Sequence, residues 1–373
     1  MKITNLKLKN FRNHNNLDLS FSNYKNIIIG NNGIGKTNIV EAIYYLALTK
    51  SFRTTNDEVL IKDNEDFAVI EANIVDKISN NFKIVITKDG KNIRIDNNQI
   101  KTIGDYISKL NVIIFTTEDM KLIKDNPSIH RKLINMELSQ FNNNYLKLLS
   151  MYNKVLKQRN TYLKSMYLNG NIPTDYLDVL TNKLIDLGMK IYDIRKDYVN
   201  QINSYIGNIF KKVVKKENLQ IRYISNFHNK TRDELLKSYK KMETKDINYG
   251  KTNLGIHIDD YLFEINGHLA KEFLSEGELK NAIIAFKLSE IKYCINAKNC
   301  IPILILDDLF SELDDKKINT LIGNFKKSFQ ILITTTDIDK VNKKLLNNCR
   351  VIKITNKRIE VKDYEWEYSK FRI

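Results

Sequence analysis

Eight residues near the start of the chain, Gly30-Asn31-Asn32-Gly33-Ile34-Gly35-Lys36-Thr37, match the pattern G-x-x-x-x-G-K-[ST]. Glycines let backbone N–H groups close on phosphate oxygens and form an anion nest at a helix N-terminus. Lys36 supplies a point charge for the β- and γ-phosphates, and Thr37 a hydroxyl for Mg2+. The chemistry implied is binding of ATP with Mg2+. Far along the chain, Ile303-Leu304-Ile305-Leu306 ends in Asp307-Asp308, with Pro302 where a strand start tolerates it. Adjacent carboxylates at a buried strand end repel each other and resist desolvation, which a divalent cation or a water to be activated relieves. On that reading Asp307 is a metal ligand and Asp308 the catalytic group that orients or deprotonates water. The plainer alternative is that both cap an exposed strand end.

A third cluster, Leu274-Ser275-Glu276-Gly277-Glu278, precedes an apolar series at Ile284, Leu288, Ile291 and Ile295 with helical spacing. Ser275-x-x-Glu278 makes a good capping box. The same helix N-terminus would also present Ser275 and backbone N–H groups to a γ-phosphate. Local sequence alone favours the cap.

The elements that must position these residues are legible in outline. Residues 3–29 alternate in two short runs and end in Ile27-Ile28-Ile29, a buried strand feeding the glycine loop; Ile39, Ile43 and Leu46 then mark one face of a helix over 38–48. Phe82, Ile84 and Ile86, the turn Asp89-Gly90, and Ile93 and Ile95 predict an antiparallel hairpin beside the nucleotide strand. A strand is expected at 112–115. Residues 127–217 read as two long antiparallel helices interrupted by the turn Gly170-Asn171-Ile172-Pro173. Strand signals return at Tyr261, Phe263 and Ile265 before Asn266-Gly267, followed by a helix over 278–297 and strands at 303–306 and 331–333. One nucleotide-binding lobe (1–125 and 218–373) is therefore expected to be split by an inserted helical arm (126–217).

Composition narrows the class. Lys and Arg outnumber Asp and Glu by 60 to 44, a formal charge of +16. That excess suits a polyanionic partner, although a chain rich in Lys, Asn and Ile with three prolines also carries the mark of an AT-rich genome. The three cysteines, Cys294, Cys300 and Cys349, form no C-x-x-C pair, so neither a disulfide framework nor a zinc site is expected. No stretch reaches the roughly 18 apolar residues of a membrane span. A soluble, cytoplasmic protein is the expectation.

The order of parts, glycine loop, long insertion, Leu-Ser-x-Gly, acidic strand, then Ser311-Glu312-Leu313-Asp314, resembles the ATP-binding-cassette ATPases. Within that superfamily the chain is similar to the RecF family of bacterial recombination and gap-repair proteins. The likeness rests on Asn10-Phe11-Arg12-Asn13, the loop from Gly30 through Asn38 with Glu41-Ala42-Ile43, and Lys50-Ser51-Phe52-Arg53. It continues through Thr116-Thr117-Glu118-Asp119, Gln158-Arg159-Asn160, Gly255-x-His257-x-Asp259-Asp260, Ser275-x-Gly277, Asp307-Asp308, Ser311 to Asp314 and Thr334-Thr335-Thr336-Asp337. Ile256 and Ile258 stand where family members usually have Pro and Arg, and Glu276 and Glu278 where they commonly have glutamines.

The resemblance implies an α/β ATP-binding-cassette head, a mixed sheet with helices and an antiparallel β subdomain, carrying an inserted helical arm like a shortened SMC. It implies an ATP site lined by residues 30–38, a signature loop at Ser275, Gly277 and Glu278 that acts on a second subunit's ATP, and a D-loop at Ser311, Glu312, Leu313 and Asp314. It implies an ATP-dependent homodimer on double-stranded DNA near single-stranded gaps. Slow, DNA-dependent hydrolysis would serve as a release timer, and cooperation with RecR and RecO would load RecA. Basic residues of the arm, Arg131, Lys132, Arg159, Lys211, Lys212, Lys215 and Lys216, are the candidate phosphate contacts, each with a solvated helix face as its alternative. The ATPase subunit of a membrane transporter is the competing reading; the long insertion, the charge, and Asp308 where transporters place Glu stand against it. A P-loop small-molecule kinase is a third, and it has no use for Ser275-x-Gly277.

Overall fold

The computed structural model describes residues 1–170, 173–214, 218–308, 328–338, 341, 346–355 and 358–364. Ser311, Glu312, Leu313, Asp314, Lys215 and Lys216 lie outside the described residues. The chain divides into two compact units, one formed by residues 1–119 and 290–373 and the other by 120–289, with the division inside the helix Glu276–Lys298.

The first unit holds two sheets. One has six strands in the order Ile359–Tyr364, Cys349–Ile354, Lys25–Ile29, Ile331–Thr335, Ile303–Leu306 and Val112–Phe115, parallel throughout except for its first pair. Lys25–Ile29, Ile331–Thr335, Ile303–Leu306 and the edge strand Val112–Phe115 are buried along their length and mostly apolar, as strands covered on both faces must be. The other sheet is antiparallel, in the order His14–Ser20, Lys2–Phe11, Phe67–Val75, Ser79–Thr87, Gly90–Ile95 and Asn98–Gln99. Phe67–Val75 alternates buried and half-buried residues, the pattern of a sheet with one covered face.

The hairpin at Asp89-Gly90 forms with Phe82 opposite Ile95 and Ile84 opposite Ile93. It belongs to the antiparallel sheet, however, and the nucleotide strand Lys25–Ile29 pairs instead with Ile331–Thr335 and Cys349–Ile354. A half-buried, alternating strand is unsuited to a sheet centre that needs apolar residues on both faces.

The second unit carries the helices Pro127–Phe141, Asn143–Asn169, Asp175–Val214 and Arg232–Tyr249, with a small sheet of Leu219–Ile224, Asp260–Ile265 and His268–Leu269. Three helices thus span the stretch read as two. Asn142 breaks the first from the second: its backbone is extended, and its side chain accepts from Tyr145 N at 3.0 Å as the N-cap of the longer helix. Arg232–Tyr249, unforeseen from periodicity, starts at a full capping box of Thr231 and Glu234. The structural unit is also wider than the arm expected at 126–217. Residues 218–289 join it because Leu219–Ile224 pairs with Asp260–Ile265 in a sheet separate from both sheets of the first unit. Among the described residues no helix is long and apolar enough to cross a membrane.

Candidate nucleotide site and its supporting groups

The glycine loop leaves the strand Lys25–Ile29 and enters the helix Lys36–Leu48, the context a phosphate loop requires. Gly33 and Gly35 have φ of 79° and 107°, backbone that side chains rarely adopt. At Gly35 a Cβ would also stand 2.5 Å from His14 Nε2 and 2.6 Å from Asn13 Oδ1. The turn between the first two strands of the antiparallel sheet therefore presses against the loop. Asn13 Nδ2 donates to Gly33 O at 3.4 Å, Asn38 Nδ2 donates to Asn13 Oδ1 at 2.8 Å, and His14 Nε2 lies 3.2 Å from Gly35 O. For that last bond Nε2 must carry the proton, since a carbonyl only accepts.

Lys36 is buried and its Nζ donates to the carbonyls of Gly30 at 2.7 Å and Asn31 at 3.0 Å. Burial holds its pKa below the usual lysine value, opposed by the carboxylates of Asp308 and Asp307. Both carboxylates follow the end of one parallel strand, Ile303–Leu306, which lies one strand beyond Ile331–Thr335 in the sheet. Asp307 Oδ1 accepts from Thr334 Oγ1 at 2.7 Å and from Thr37 Oγ1 at 3.2 Å, while Asp308 N donates to Thr334 Oγ1 at 2.9 Å. Burial raises the Asp307 pKa, against the bonds from Thr334 and Thr37. Asp308 has φ 52°, a left-handed conformation that Asp tolerates better than most residues.

Thus Lys36, Thr37, Asp307 and Asp308 come together in one unit. The donors Thr37 Oγ1 and Asp307 Oδ1 are hard oxygens already in hydrogen-bond contact, a pair suited to Mg2+. Among the described residues no group of three His, Cys, Asp or Glu side chains is placed to hold a metal. A site with one hydroxyl and one carboxylate fits an ion that keeps most of its shell as phosphate oxygens and water.

Behind the loop, Glu41 is fully buried and held by three groups. Arg12 binds it in a bidentate manner, Nη2 to Oε1 at 2.7 Å and Nε to Oε2 at 3.0 Å; Arg53 Nη1 reaches Oε2 at 3.4 Å and Asn38 Oδ1 at 3.0 Å; and Ser51 Oγ donates to Oε1. The motifs around residues 10–13 and 50–53 are in this way tied to the phosphate-loop helix. Sequence reading noted those motifs without giving them a place, and it missed His14 and the bridging role of Thr334. The adjacency of His14 to the Arg12-Asn13 motif was the available signal.

The Ser275 loop belongs to the second unit. There the capping box is formed: Ser275 Oγ donates to Glu278 Oε2 at 3.1 Å, and Glu278 N donates to Ser275 Oγ at 3.4 Å. Glu276, exposed, pairs with Lys124, and this lowers its pKa.

The basic candidates separate. Lys132, Lys211 and Lys212 are exposed. Arg131 is half-buried and donates to Asp259 O at 2.6 Å. Arg159 is 1% exposed, paired with Asp246 at 2.8 Å and bonded to Thr181 and Thr252. It is therefore withdrawn as a DNA contact, because its donors are spent inside the unit and no phosphate can reach them.

The model of the RecF/RecN/SMC N terminal domain matches residues 2–360. DNA replication and repair protein RecF of a Bacillus cereus strain is 35% identical over 96% of this chain and 98% of its own length. The protein of the same name from Geobacillus thermodenitrificans is 36% identical over 95% and 98%. Among solved structures, the recombination mediator protein RecF-ATP in the RecFOR pathway superposes with a TM-score of 0.89 at 28% identity, covering 96% of this chain and 97% of that one. An Smc head bound to the C-winged helix domain of ScpA, at 16% identity and a TM-score of 0.54 over 98% of each chain, shares the fold alone. The fold is the α/β ATPase head with a helical lobe that the motif order implied. With the family model and these relatives covering nearly its whole length, the chain belongs to the RecF family of DNA replication and repair proteins.

Proposed function

We propose that the chain is an ATP-dependent DNA-binding protein of recombinational and gap repair, a switch that dimerises around ATP on duplex DNA near single-stranded gaps. The observation that carries this reading is the chain of contacts Thr37–Asp307–Thr334–Asp308 beside Lys36. On this reading it joins a phosphate cradle, two ligands for a metal and a second carboxylate, and the relatives compared above are named as DNA replication and repair proteins. Lys36 holds the β- and γ-phosphates, giving up its two carbonyl partners for phosphate oxygens. Thr37 and Asp307 would hold Mg2+, which supplies charge neutralisation between phosphates. Asp308 orients or deprotonates the attacking water. Ser275 and Gly277 of a second copy complete the site, with the Ser275 hydroxyl turned from Glu278 to the γ-phosphate.

Binding rather than turnover is the function on this reading. Hydrolysis is slow, depends on DNA, and releases the dimer after RecR and RecO have helped to load RecA. Sedimentation with and without ATP and a gapped duplex tests it. Wild type should dimerise only with ATP, Asp308→Asn should accumulate a DNA-bound dimer, and Lys36→Met should stay monomeric. If wild type dimerises while both variants remain monomers, Asp308 loses its catalytic assignment. Dimerisation of all three without nucleotide would sink the switch.

A further inference from the structure

The helix Asn143–Asn169 carries Lys147, Lys154, Lys157, Arg159 and Lys164 and no acidic residue at all, and the acid-free stretch runs on through residues 138–174. Arg159 is consumed inside the unit. The four lysines are exposed, and their spacing of seven, three and seven residues keeps them on one side of the helix. Among the described residues Lys154, Lys157 and Lys164 take part in no ion pair. On the neighbouring helix Arg232–Tyr249, by contrast, Lys240 pairs with Asp178 and Glu243, and Arg232 with Asp186. A solvated face evolved only for solubility would mix signs as that helix does.

At the far end of the same helix the surface changes character. Tyr167 and Leu168 are 62% and 76% exposed, and Tyr249 is 64% exposed. Gly250, in a left-handed conformation with φ 60°, lies against Lys164: a Cβ there would stand 2.8 Å from Lys164 Cγ. Lys251 Nζ sits 5.9 Å from the Tyr249 ring centroid. Tyr249 thus shares its corner of the surface with Lys164 and Lys251. Leu163, Met166 and Leu177 form a small core on these helices, against which Tyr162 and Ile247 pack.

Exposed rings beside unpaired ammonium groups, at the end of a cationic helix roughly 40 Å long, match single-stranded nucleic acid. The lysines track phosphates and the rings stack on unpaired bases. We propose that the lysine face of Asn143–Asn169, with Tyr167, Tyr249 and Lys251, is the surface that distinguishes gapped from continuous DNA, its lysines on backbone phosphates and its tyrosines on unpaired bases. This rests on the DNA-binding reading above and adds to it where and how a gap is sensed.

The test measures anisotropy of labelled gapped duplex, blunt duplex and single strand with the full chain, ATP and Mg2+, over a salt series. Replacing Lys154, Lys157 and Lys164 together by Ala should lower the salt slope on gapped duplex by about two to three, and the corresponding Arg variants should restore it. Tyr167→Ala with Tyr249→Ala should weaken gapped and single-stranded binding roughly fivefold or more and leave blunt duplex unchanged. If wild type binds DNA and the lysine variant keeps its slope, this surface is wrong and the DNA reading stands; an acidic protein partner on that face would give this result. Equal loss on blunt duplex and single strand overturns base stacking. If wild type binds none of the three DNAs, the DNA reading falls and this proposal with it.

Discussion

The proposed nucleotide site of the first unit and the buried polar network of the second use the same kinds of residue in opposite ways. At the phosphate loop, Lys36 is buried on two neutral carbonyls and Asp307 on two hydroxyls. Each bond can be exchanged for one to a phosphate or a metal without stranding a charge. In the second unit Arg159 faces Asp246 and Arg195 faces Asp259 at 2.8 and 2.7 Å, both arginines 1% exposed. Arg195 also donates to Ile256 O, Tyr145 Oη and Asn135 Oδ1, and Tyr223 Oη donates to Asp259. The rings of Tyr192, Tyr223 and Tyr261 stack nearby, with centroids 5.6 and 5.1 Å apart in succession. Charge meets charge there, and neither partner can leave. Burial of a charged group therefore does not mark a site by itself; the kind of partner that holds it does.

The largest expected effect is on stability. Arg195→Met strands Asp259, and Arg159→Met strands Asp246, so each should cost about 3–5 kcal/mol in thermal or urea denaturation. The Arg159 variant should meanwhile keep the salt slope of DNA binding. A cost below about 1 kcal/mol for both would break the comparison from the structural side.

Lys36→Met should behave the other way. It removes a buried charge whose partners are carbonyls, so stability without nucleotide should change by less than about 1 kcal/mol, while ATP affinity, read by calorimetry, falls at least about 100-fold, near 2.7 kcal/mol. A Lys36→Met chain that melts like the Arg195 variant would show the loop to be scaffold.

Thr334→Val sharpens the boundary between the two regions. It keeps the side-chain shape but removes the hydroxyl that bonds both Asp307 and Asp308 N. We expect about 1–2 kcal/mol of lost stability and a larger proportional loss of ATPase rate, separable by comparing melting with turnover at saturating ATP.

The smallest effect is on pH. Burial lowers the pKa of His14, against its bond to Gly35, and of His257, against its bond to Thr252. Both folded values lie below the ordinary 6.5, so on acidification the unfolded chain takes up protons first. The stability tied to these neutral rings is complete above 6.5 and declines as pH falls below it. His14→Gln and His257→Gln should each flatten part of the change in melting temperature between about pH 7 and 5.5. An unchanged profile in both would remove the imidazoles as its cause.

What was readable in the sequence was local. The strand, loop and helix around Gly30 to Thr37, the apolar run into Asp307-Asp308, the Asp89-Gly90 hairpin and the Ser275-x-x-Glu278 box each depend on neighbours within a few residues, where turn, cap and periodicity signals act. Even two of the unanticipated features, the break at Asn142 and the helix after Thr231, had caps written in the chain.

Only the tertiary structure decided which of these pieces meet. Thr37 and Asp307 are 270 residues apart yet bonded, because Lys25–Ile29 and Ile303–Leu306 flank Ile331–Thr335 as parallel strands and so end at the same edge of the sheet. Arg159 reads as one more exposed base until Asp246, on another helix, takes it inside. The Asp89-Gly90 hairpin joins a sheet away from the nucleotide strand. Local propensity specifies an element, but pairing across long separations is settled by which faces can be buried together and which charges can be paired there, and the sequence carries no local mark of either.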